Sequence, residues 1–359
     1  MKILSVVGAR PQFVKLAPIA RALGEAGHEH VIVHTGQHYD LNMSDVFFED
    51  LGIPAPDVHL AVGSASHGRQ TGAMLGAMDE VLEEHRPDWV LVYGDTNSTV
   101  AGALSAVKMH IPLAHLEAGL RSFNRRMPEE HNRVLTDHAA DLCLAPTELA
   151  MRHLANEGLS GRSVLVGDVM TDVLLTVRDA VAEREPELPE DIDPASPYYV
   201  ATLHRAENTD DPERLRAIIE SLAKVDAPVL LLAHPRLRSR AEQHGLDLAQ
   251  GAVVAADPLP YPTLVRAAMS SAGVITDSGG LQKEAFLLRV PCTTIRTETE
   301  WTETVDLGWN VLAGDIETLY AAVTRPHPQA TDAMPYGDGS AAGRAVEAIL
   351  AGGTRLASA

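Results

Sequence analysis

The sequence contains only two cysteines among 359 residues, Cys143 and Cys292, and they lie far apart in apolar stretches. This scarcity argues against a disulfide framework or a thiolate metal site, and it is typical of a chain kept reduced in the cytoplasm. No apolar run approaches the roughly 20 residues that a membrane helix needs. The opening residues 1–8 are interrupted too soon for a signal peptide. We therefore expect a cytoplasmic protein that has no membrane partner.

An excess of positive charge is also lacking, since the formal net charge is -20. This balance argues against nucleic acid or an anionic membrane as the main partner. The negative net charge does not exclude an anionic small ligand, because binding of such a ligand depends on local clusters of basic residues. The length predicts about two domains, and an apolar content of 45% is sufficient for full cores.

Several motifs of metal and cofactor enzymes are absent, although the chain has 16 histidines. There is no H-E-x-x-H, no paired C-x-x-C and no tight His/Asp cluster, so we expect no bound metal. The G-x-S-x-G turn of many serine hydrolases is missing. The G-x-G-x-x-G fingerprint of dinucleotide binding is missing as well.

Apolar strands and helical stretches alternate along the whole chain. This alternation is the sequence form of βαβ units on a parallel sheet, and it predicts an α/β fold with two doubly wound domains facing a central cleft. Strands are predicted at residues 2–7, 30–34, 89–93, 112–116, 198–202, 229–233, 253–255, 273–276 and 291–295, and helices at 13–26, 70–85, 97–109 and 341–350.

Composition changes over residues 183–197, where four of fifteen residues are proline and six are acidic. Such a segment is poorly suited to a core and is typical of an interdomain connection. We therefore predict an N-terminal domain at residues 1–180, a linker at 181–198, a C-terminal domain at 199–335 and a C-terminal helix at 336–359.

Carboxylates follow two of the most apolar strands. Strand 89–93 ends just before Asp95, strand 112–116 ends at Glu117, and Glu129 comes soon after. Ligands of parallel sheets gather at the carboxyl ends of strands, so these acids should meet in one cleft. Crowded acids separate in pKa, which provides one acid and one base near neutrality for proton transfer. The alternative is a set of helix caps and ion pairs with nearby arginines, namely Arg121, Arg125, Arg126 and Arg133.

Two turns are suited to phosphate. Gly8-Ala9-Arg10-Pro11 joins the first strand to a helix that carries Lys15 one turn further in. Helix N-termini favour anions, and Arg10 adds a planar fork of donors. The alternative is two basic residues on a solvated surface.

The second turn is Ser278-Gly279-Gly280, between the strand 273–276 and a helix. Its backbone amides and the Ser278 hydroxyl would cradle phosphate oxygens, and Glu284 would accept the hydroxyls of a ribose. A plain capped helix is the alternative. Two further strand ends carry a histidine beside an arginine, His204-Arg205 and His234-Pro235-Arg236, with structural hydrogen bonding as their alternative role.

Taken together, these segments resemble the non-hydrolysing UDP-N-acetylglucosamine 2-epimerase family over essentially the whole chain. The matching motifs are Gly8-Ala9-Arg10-Pro11-Gln12-Phe13-Val14-Lys15, Thr35-Gly36-Gln37-His38, Gly94-Asp95-Thr96, Glu117-Ala118-Gly119-Leu120-Arg121, Pro128-Glu129-Glu130, His204-Arg205, His234-Pro235 and Thr276-Asp277-Ser278-Gly279-Gly280. The resemblance implies a GT-B fold of two Rossmann-like domains, with the C-terminal helix crossing back to the first. It also implies elimination of UDP across C1–C2 to a glycal, followed by re-addition that inverts C2.

The resemblance assigns roles as well. Asp95, Glu117 and Glu129 would share the proton transfers. The diphosphate would be held, and the departing UDP stabilised, by Arg10, His204, Ser278, Gly279 and Gly280. Lys15 and His234 would line the same cleft, Glu284 would bind ribose, and domain closure should accompany turnover. We expect a UDP-sugar as the partner, no metal or redox cofactor, and a homodimer.

Two departures from the family pattern concern specificity. The family usually has Thr-Glu-Arg-Pro-Glu where this chain has Thr299-Glu300-Trp301-Thr302-Glu303. The version in this chain is more like the branch that acts on UDP-2,3-diacetamido-2,3-dideoxyglucuronate. Arg125 and Arg126 would then bind the carboxylate of the sugar, or they would instead form ion pairs with Glu129 and Glu130. Residues 38–40 lack the groups that bind an activating second UDP-sugar in some bacterial members.

A GT-B glycosyltransferase is the main rival from another reaction class. It would use the same phosphate turns, but it would need an acceptor groove and has no use for several carboxylates at C1–C2. A hydrolysing epimerase, which would release free sugar and UDP, and a non-catalytic nucleotide-sugar sensor are the remaining rivals.

Overall fold

Short strands alternate with helices along the chain, and five of the strands end in the polar turns that the sequence predicts, namely Lys2–Val7, Trp89–Tyr93, Leu113–Leu116, Tyr199–Thr202 and Gly273–Thr276. The computed structural model describes residues 1–37 and 54–356. The chain divides into two units, the first comprising Met1–Val173 with Met334–Ala359 and the second Leu174–Ala333.

The first unit is built on a parallel sheet of strands with short connections. Its strands are β1 (Lys2–Val7), β2 (Glu29–His34), β3 (Val58–His59), β4 (Trp89–Tyr93), β5 (Leu113–Leu116), β6 (Leu142–Ala145) and β7 (Ser163–Leu165). Its helices are α1 (Arg10–Glu25), α2 (His67–His85), α3 (Asn97–Lys108), α4 (Pro128–Ala139), α5 (Glu148–Asn156) and α14 (Ala341–Leu356). Helix α6 (Val169–Val181) begins in this unit.

All neighbouring strands of this sheet are parallel, in the order β3-β2-β1-β4-β5-β6-β7. Every residue of β4 and of β5 is buried, as expected for strands covered on both faces. The strand order reverses between β1 and β4, and ligands of doubly wound sheets bind at the carboxyl ends beside such a reversal. The turns after β1, β4 and β5 lie at this edge.

The second unit repeats the arrangement. Its strands are β8 (Tyr199–Thr202), β9 (Val229–Leu232), β10 (Val253–Ala256), β11 (Gly273–Thr276), β12 (Cys292–Thr294) and β13 (Asn310–Leu312). Its helices are α7 (Ala206–Thr209), α8 (Pro212–Leu222), α9 (Pro235–Gln243), α10 (Tyr261–Ser270), α11 (Gly279–Leu287), α12 (Thr302–Asp306) and α13 (Leu319–Val323). The parallel order β10-β9-β8-β11-β12-β13 reverses between β8 and β11, so the turns after these two strands are adjacent.

The C-terminal helix α14 is part of the core of the first unit. Ala345, Val346 and Ile349 are buried in a cluster that also contains Ile3 and Trp89. The Asp172 carboxylate accepts hydrogen bonds from the first two amides of this helix, at 3.0 and 2.7 Å, and so caps it from another element.

The acidic segment 183–197 contains neither helix nor strand, yet it contributes one residue to a core. Ile192 is only 3% exposed and packs with Tyr198 and Val200 of the second unit. The neighbouring Asp193 accepts hydrogen bonds from the Ala195 amide and the Ser196 hydroxyl, which stabilise the local turn.

The predicted fold class of two doubly wound parallel α/β sheets is confirmed. Cys143 and Cys292 are both free and buried, one in each sheet. Within the described ranges, no helix combines the length and apolar character required to cross a bilayer.

Candidate active site

The turn after β5 holds Glu117 in a strained backbone conformation. Its φ is 72°, in the left-handed region that residues with a side chain seldom adopt. The amides of Glu117 and Ala118 both donate to the Leu144 carbonyl at 3.1 Å, which keeps the turn in place. Such strain persists only where the surroundings enforce it and is concentrated at functional sites.

Lys15 of α1 lies against the Glu117 carboxylate and forms an ion pair with Oε2. Burial alone would lower the pKa of Lys15, but Glu117, Asp168 and Asp95 together raise it above its ordinary value. Electrostatic attraction from these three carboxylates therefore favours the charged amine, and Glu117 contacts it directly. Asp168, which is 4% exposed, is a member of this group that was not predicted from the sequence.

Gly94 shows how closely the β4 turn borders this ion pair. Its φ is 61°, and a β-carbon added there would lie 3.1 Å from Glu117 Oε2 and 3.4 Å from Lys15 Nζ. Asp95 follows immediately, so the structure brings two of the predicted catalytic carboxylates to the same edge of the sheet.

Helix α4 holds Asp95 from the other side. Arg133 Nη2 donates to Asp95 Oδ2 at 2.5 Å, and Asn132 Nδ2 donates to the Asp95 carbonyl at 2.9 Å. Glu129 lies in the first turn of the same helix and is half-buried. Within the described part of the chain it takes part in none of the ion pairs, whereas its neighbour Glu130 is fully engaged.

Glu130 organises the loop between β5 and α4. Its carboxylate accepts from the Ser122 and Phe123 amides, both at 2.8 Å, and from Arg133 Nη1 at 3.0 Å. Burial alone would raise the pKa of Glu130, but these donors bring it below its usual value. Of the ion pairs with arginine considered as an alternative for Asp95, Glu117 and Glu129, the described residues show the one between Asp95 and Arg133, and Arg133 also pairs with Glu130.

The turn after β1 differs from the expected phosphate cradle. The Gly8 and Ala9 amides donate to Gln12 Oε1 at 2.8 and 3.0 Å, and Gln12 Nε2 donates to the Tyr93 carbonyl at 2.8 Å. Two of the donors expected for phosphate are thus already used to join β1 to β4. The side chain of Arg10 and residues 38–40 lie outside the described residues.

In the second unit, the partly exposed His204 and the buried Asp277 form a hydrogen-bonded pair where the strand order reverses between β8 and β11. Asp277 is 0% exposed, and His204 Nδ1 lies 2.9 Å from its Oδ1, while the His204 side chain is 48% exposed. The same carboxylate accepts from the His204 and Arg205 amides at 3.0–3.1 Å and from Asn208 Nδ2 at 3.1 Å. Although burial opposes it, these donors lower the pKa of Asp277. An ionised Asp277 fixes the proton on Nδ1 and leaves His204 Nε2 for a ligand.

The Ser278-Gly279-Gly280 turn follows β11 and begins α11. Ser278 is the N-cap but its side chain makes no capping hydrogen bond. A methyl group added at Gly279 would overlap Glu300 Oε1, whose partner oxygen accepts from Arg296 Nη1 at 2.9 Å. A carboxylate therefore lies at the helix N-terminus, where anions are favoured.

Two further predicted residues lie in the second unit: Glu284 on α11 and His234 after β9. Glu284 Oε1 accepts from the Tyr261 hydroxyl at 2.9 Å. His234 caps α9, since its Nδ1 accepts from the Arg236 amide at 3.3 Å. Lys283 lies with its ammonium 4.5 Å from the centre of the Trp301 ring, a cation–π contact at the position where the family pattern has arginine.

Besides Asp168, the residues near this edge of the first sheet or at the β8/β11 reversal with no role predicted from the sequence include Gln12 of α1, His115 of β5, Asp137 of α4 and Asp277, of which Gln12 and Asp277 lie within the matching motifs. Gln12 lies in the first turn of α1 and Asp277 directly follows β11, positions at which a polar residue is a recognisable signal, whereas His115 lies within β5 and Asp137 near the end of α4, where no such signal marks them. Across residues 1–37 and 54–356, no three His, Cys, Asp or Glu side chains are grouped as metal ligands would be.

Comparison with known proteins gives a consistent result. Residues 21–350 match the family model for UDP-N-acetylglucosamine 2-epimerase. The UDP-2,3-diacetamido-2,3-dideoxy-D-glucuronate 2-epimerase of Pseudomonas aeruginosa is 47% identical over 357 residues, covering 97% of this chain and 99% of that protein. The UDP-N-acetylglucosamine 2-epimerase of Methanocaldococcus jannaschii is 40% identical, covering 98% of this chain and 100% of that protein.

A crystal structure of the Methanocaldococcus jannaschii enzyme in complex with UDP-GlcNAc and UDP superposes with a TM-score of 0.79 at 38% identity, covering 98% of this chain and 100% of that one. The predicted GT-B-like class, with two Rossmann-like parallel sheets, is confirmed. The family match extends over most of the chain, and the relatives are aligned almost end to end. This chain belongs to the UDP-N-acetylglucosamine 2-epimerase family.

Proposed function

We propose that this protein inverts C2 of a UDP-2-acetamido sugar by eliminating UDP and adding it back. The observation that carries the proposal is the Glu117–Lys15 ion pair, which lies at the ligand edge of the first sheet against the β4 turn that carries Asp95. Family membership and relatives named for this reaction support it. A UDP-sugar is the corresponding partner, in keeping with the ligands of the related crystal structure.

The chemistry requires two proton transfers on opposite faces of one carbon. In the forward step the C2–H and C1–O bonds break, a carboxylate takes the proton, and the electron pair of the C1–O bond leaves with UDP. The C1=C2 double bond of the glycal then receives a proton on the other face of C2 while UDP returns to C1. One proton leaves C2 and another is delivered to the opposite face, while UDP leaves C1 and returns to it. The reaction therefore consumes no oxidant or reductant.

Asp95, Glu117 and Glu129 are proposed to share these transfers. Lys15 and Arg133 compensate the charges of Glu117 and Asp95, which allows several carboxylates to occupy one edge. Glu129 lies one helical turn before Arg133, on the helix that fixes Asp95.

The second unit is proposed to hold the nucleotide. His204 presents Nε2 and stabilises the departing diphosphate, together with Arg10 and the Ser278-Gly279-Gly280 turn. The phosphates would take the place of the Glu300 carboxylate at Gly279. Glu284, oriented by Tyr261, binds ribose, and His234 lines the same site.

Two substrates fit the proposal, and they differ at C3 and C6 of the sugar. The Methanocaldococcus relative is named for UDP-N-acetylglucosamine, and the Pseudomonas relative for UDP-2,3-diacetamido-2,3-dideoxy-D-glucuronate. UDP-N-acetylglucosamine, whose C2 epimer is UDP-N-acetylmannosamine, is our principal assignment. The second adds a carboxylate at C6, which would require a cation in this chain.

Arg125 and Arg126 favour the second candidate. Both are exposed on the loop that Glu130 fixes, and Glu130 is occupied by Ser122, Phe123 and Arg133. Among the ion pairs of the described residues, neither arginine is paired with Glu129 or Glu130, the alternative left open by the sequence. Two guanidinium groups four and three residues before Glu129, for which the described part of the chain shows no ion pair, are suited to a sugar carboxylate.

Replacing both Arg125 and Arg126 by alanine should lower kcat/KM for the UDP-diacetamidoglucuronate by roughly 10- to 100-fold, the value of a lost charged hydrogen bond. The rate with UDP-N-acetylglucosamine should change by less than about 3-fold, because that sugar has no carboxylate. Arg21→Ala, an exposed arginine further along α1, is the control. Equal losses with both sugars would remove the two arginines from substrate recognition.

The proposed function is tested by incubating each UDP-sugar alone with the protein and following the products by NMR. The C2 epimer should accumulate to an equilibrium mixture, with no free sugar. Release of free sugar and UDP would indicate a hydrolysing epimerase. Transfer that occurs only with an added acceptor would indicate a glycosyltransferase, and binding without turnover would indicate a sensor.

A further inference from the structure

His115 is a completely buried histidine two residues before Glu117, on β5. Its side chain and that of Asp137 are both 0% exposed. Nδ1 lies 2.6 Å from Asp137 Oδ1, and Nε2 lies 2.7 Å from the carbonyl oxygen of Gly94. A single imidazole thus joins β5, the β4 turn that leads into Asp95, and helix α4.

Both ring nitrogens face an oxygen that can only accept. A neutral imidazole has one N–H and one lone pair, so either neutral tautomer would place a lone pair against an oxygen at hydrogen-bond distance. In a site without exposure to water, that contact is costly. Only the doubly protonated ring satisfies both partners.

The surroundings compensate such a charge. Asp137 Oδ2 accepts from the Gly119 amide at 3.1 Å and from Arg121 Nη1 at 2.7 Å, and Arg121 continues to Glu157. Burial opposes it, but His115 and Arg121 lower the pKa of Asp137, so its carboxyl is ionised. The thiol of Cys143, on the neighbouring strand, has a pKa raised to about 12 by burial and stays neutral.

The geometry also links His115 to the chemistry of the site. The Gly94 amide donates to the Leu116 carbonyl at 3.0 Å while its carbonyl accepts from His115, so both polar groups of Gly94 are held by β5. Gly94 borders the Glu117–Lys15 pair directly. A change at His115 would therefore shift Asp95 and Glu117 relative to each other.

We propose that His115 is a positioning residue, held as an imidazolium by its two acceptor partners, that sets the separation of Asp95 and Glu117. The kinetic part of this inference depends on the proposed function, and the charge state does not. The imidazolium never meets the substrate, and it acts through the Gly94 carbonyl and Asp137.

The charge state is tested in the wild-type protein labelled with 15N at its histidine rings. At pH 7.5 one histidine should show two protonated nitrogens with slowly exchanging N–H protons, and this signal should be missing in His115→Gln. His30 supplies the internal reference for a neutral ring, because burial lowers its pKa to about 4 against the opposing effect of Asp57. A neutral ring at position 115 would overturn the inference, whether or not the variant folds.

The positioning role is tested by kinetics. His115→Gln should lower kcat by about 100-fold, the cost of roughly 1 Å of misplacement, while KM for the UDP-sugar changes by less than about 3-fold. Asp137→Asn removes the charge but permits a neutral ring that still donates to Gly94, so its loss of kcat should be smaller. His30→Gln is the control for removing a partly buried ring from another strand of the same sheet. A kcat within 3-fold of wild type in folded His115→Gln would overturn the positioning role of His115. A wild-type protein that is inactive on every UDP-sugar would instead reject the proposed function, and the NMR result on the charge of His115 would still stand.

Discussion

Glu117→Gln should lower the rate of C2 epimerisation by at least about 100-fold, the usual contribution of a general acid or base. Glutamine has the shape of glutamate but does not take up or deliver a proton in this way. The strained turn at φ 72° and the contact with Lys15 place this side chain beside Asp95, where one proton must be moved. Asp95→Asn and Glu129→Gln should show losses of the same order.

Initial rates of epimer formation by NMR measure this effect, and thermal unfolding shows whether each variant is folded. Glu83→Gln, an exposed glutamate on α2, is the matched control and should retain full activity. Turnover close to wild type in all three carboxylate variants would refute the assignment of proton transfer to these residues.

His204→Asn should weaken UDP binding by roughly 10-fold or more and lower turnover by about 100-fold. The asparagine amide can still donate to Asp277 from the position of Nδ1, so the buried carboxylate keeps a partner. What is lost is Nε2, the atom that the dyad presents for the diphosphate. His204→Ala should lose the same function and also leave one side of Asp277 unsatisfied.

Calorimetric titration with UDP and rate measurements with the UDP-sugar separate these effects. His244→Asn is a suitable control, because His244 lies at the end of α9 and, among the hydrogen bonds described, its side chain contacts only the Thr209 carbonyl, at 3.3 Å. Unchanged UDP affinity in both His204 variants would remove this residue from the nucleotide site.

The fold class and most of the strands were predictable because those strands are short apolar runs that end in polar turns, whereas β3, β6, β7 and β13 were not predicted. The predicted strand 89–93 and the strand 273–276 coincide with β4 and β11, and the family assignment made from the motifs is confirmed. Local patterns were sufficient here, since burial on both faces of a parallel sheet requires such runs.

The pairing of side chains was not predictable in the same way. Lys15 and Glu117 are separated by 102 residues and meet only because β1, β4 and β5 are neighbours in the sheet. The use of the Gly8 and Ala9 amides by Gln12 likewise depends on the packing of α1 against β4. The roles of the site residues and the domain limits drawn from the sequence stay predictions.

The most direct test of the reaction is an incubation of the UDP-sugar with the protein in D2O. Deprotonation and reprotonation at C2 predict deuterium at that carbon in the product, introduced at the rate of epimer formation, with none at C1 or C3. An epimer that retains the original hydrogen at C2 would contradict proton transfer by the carboxylates and with it the whole mechanism.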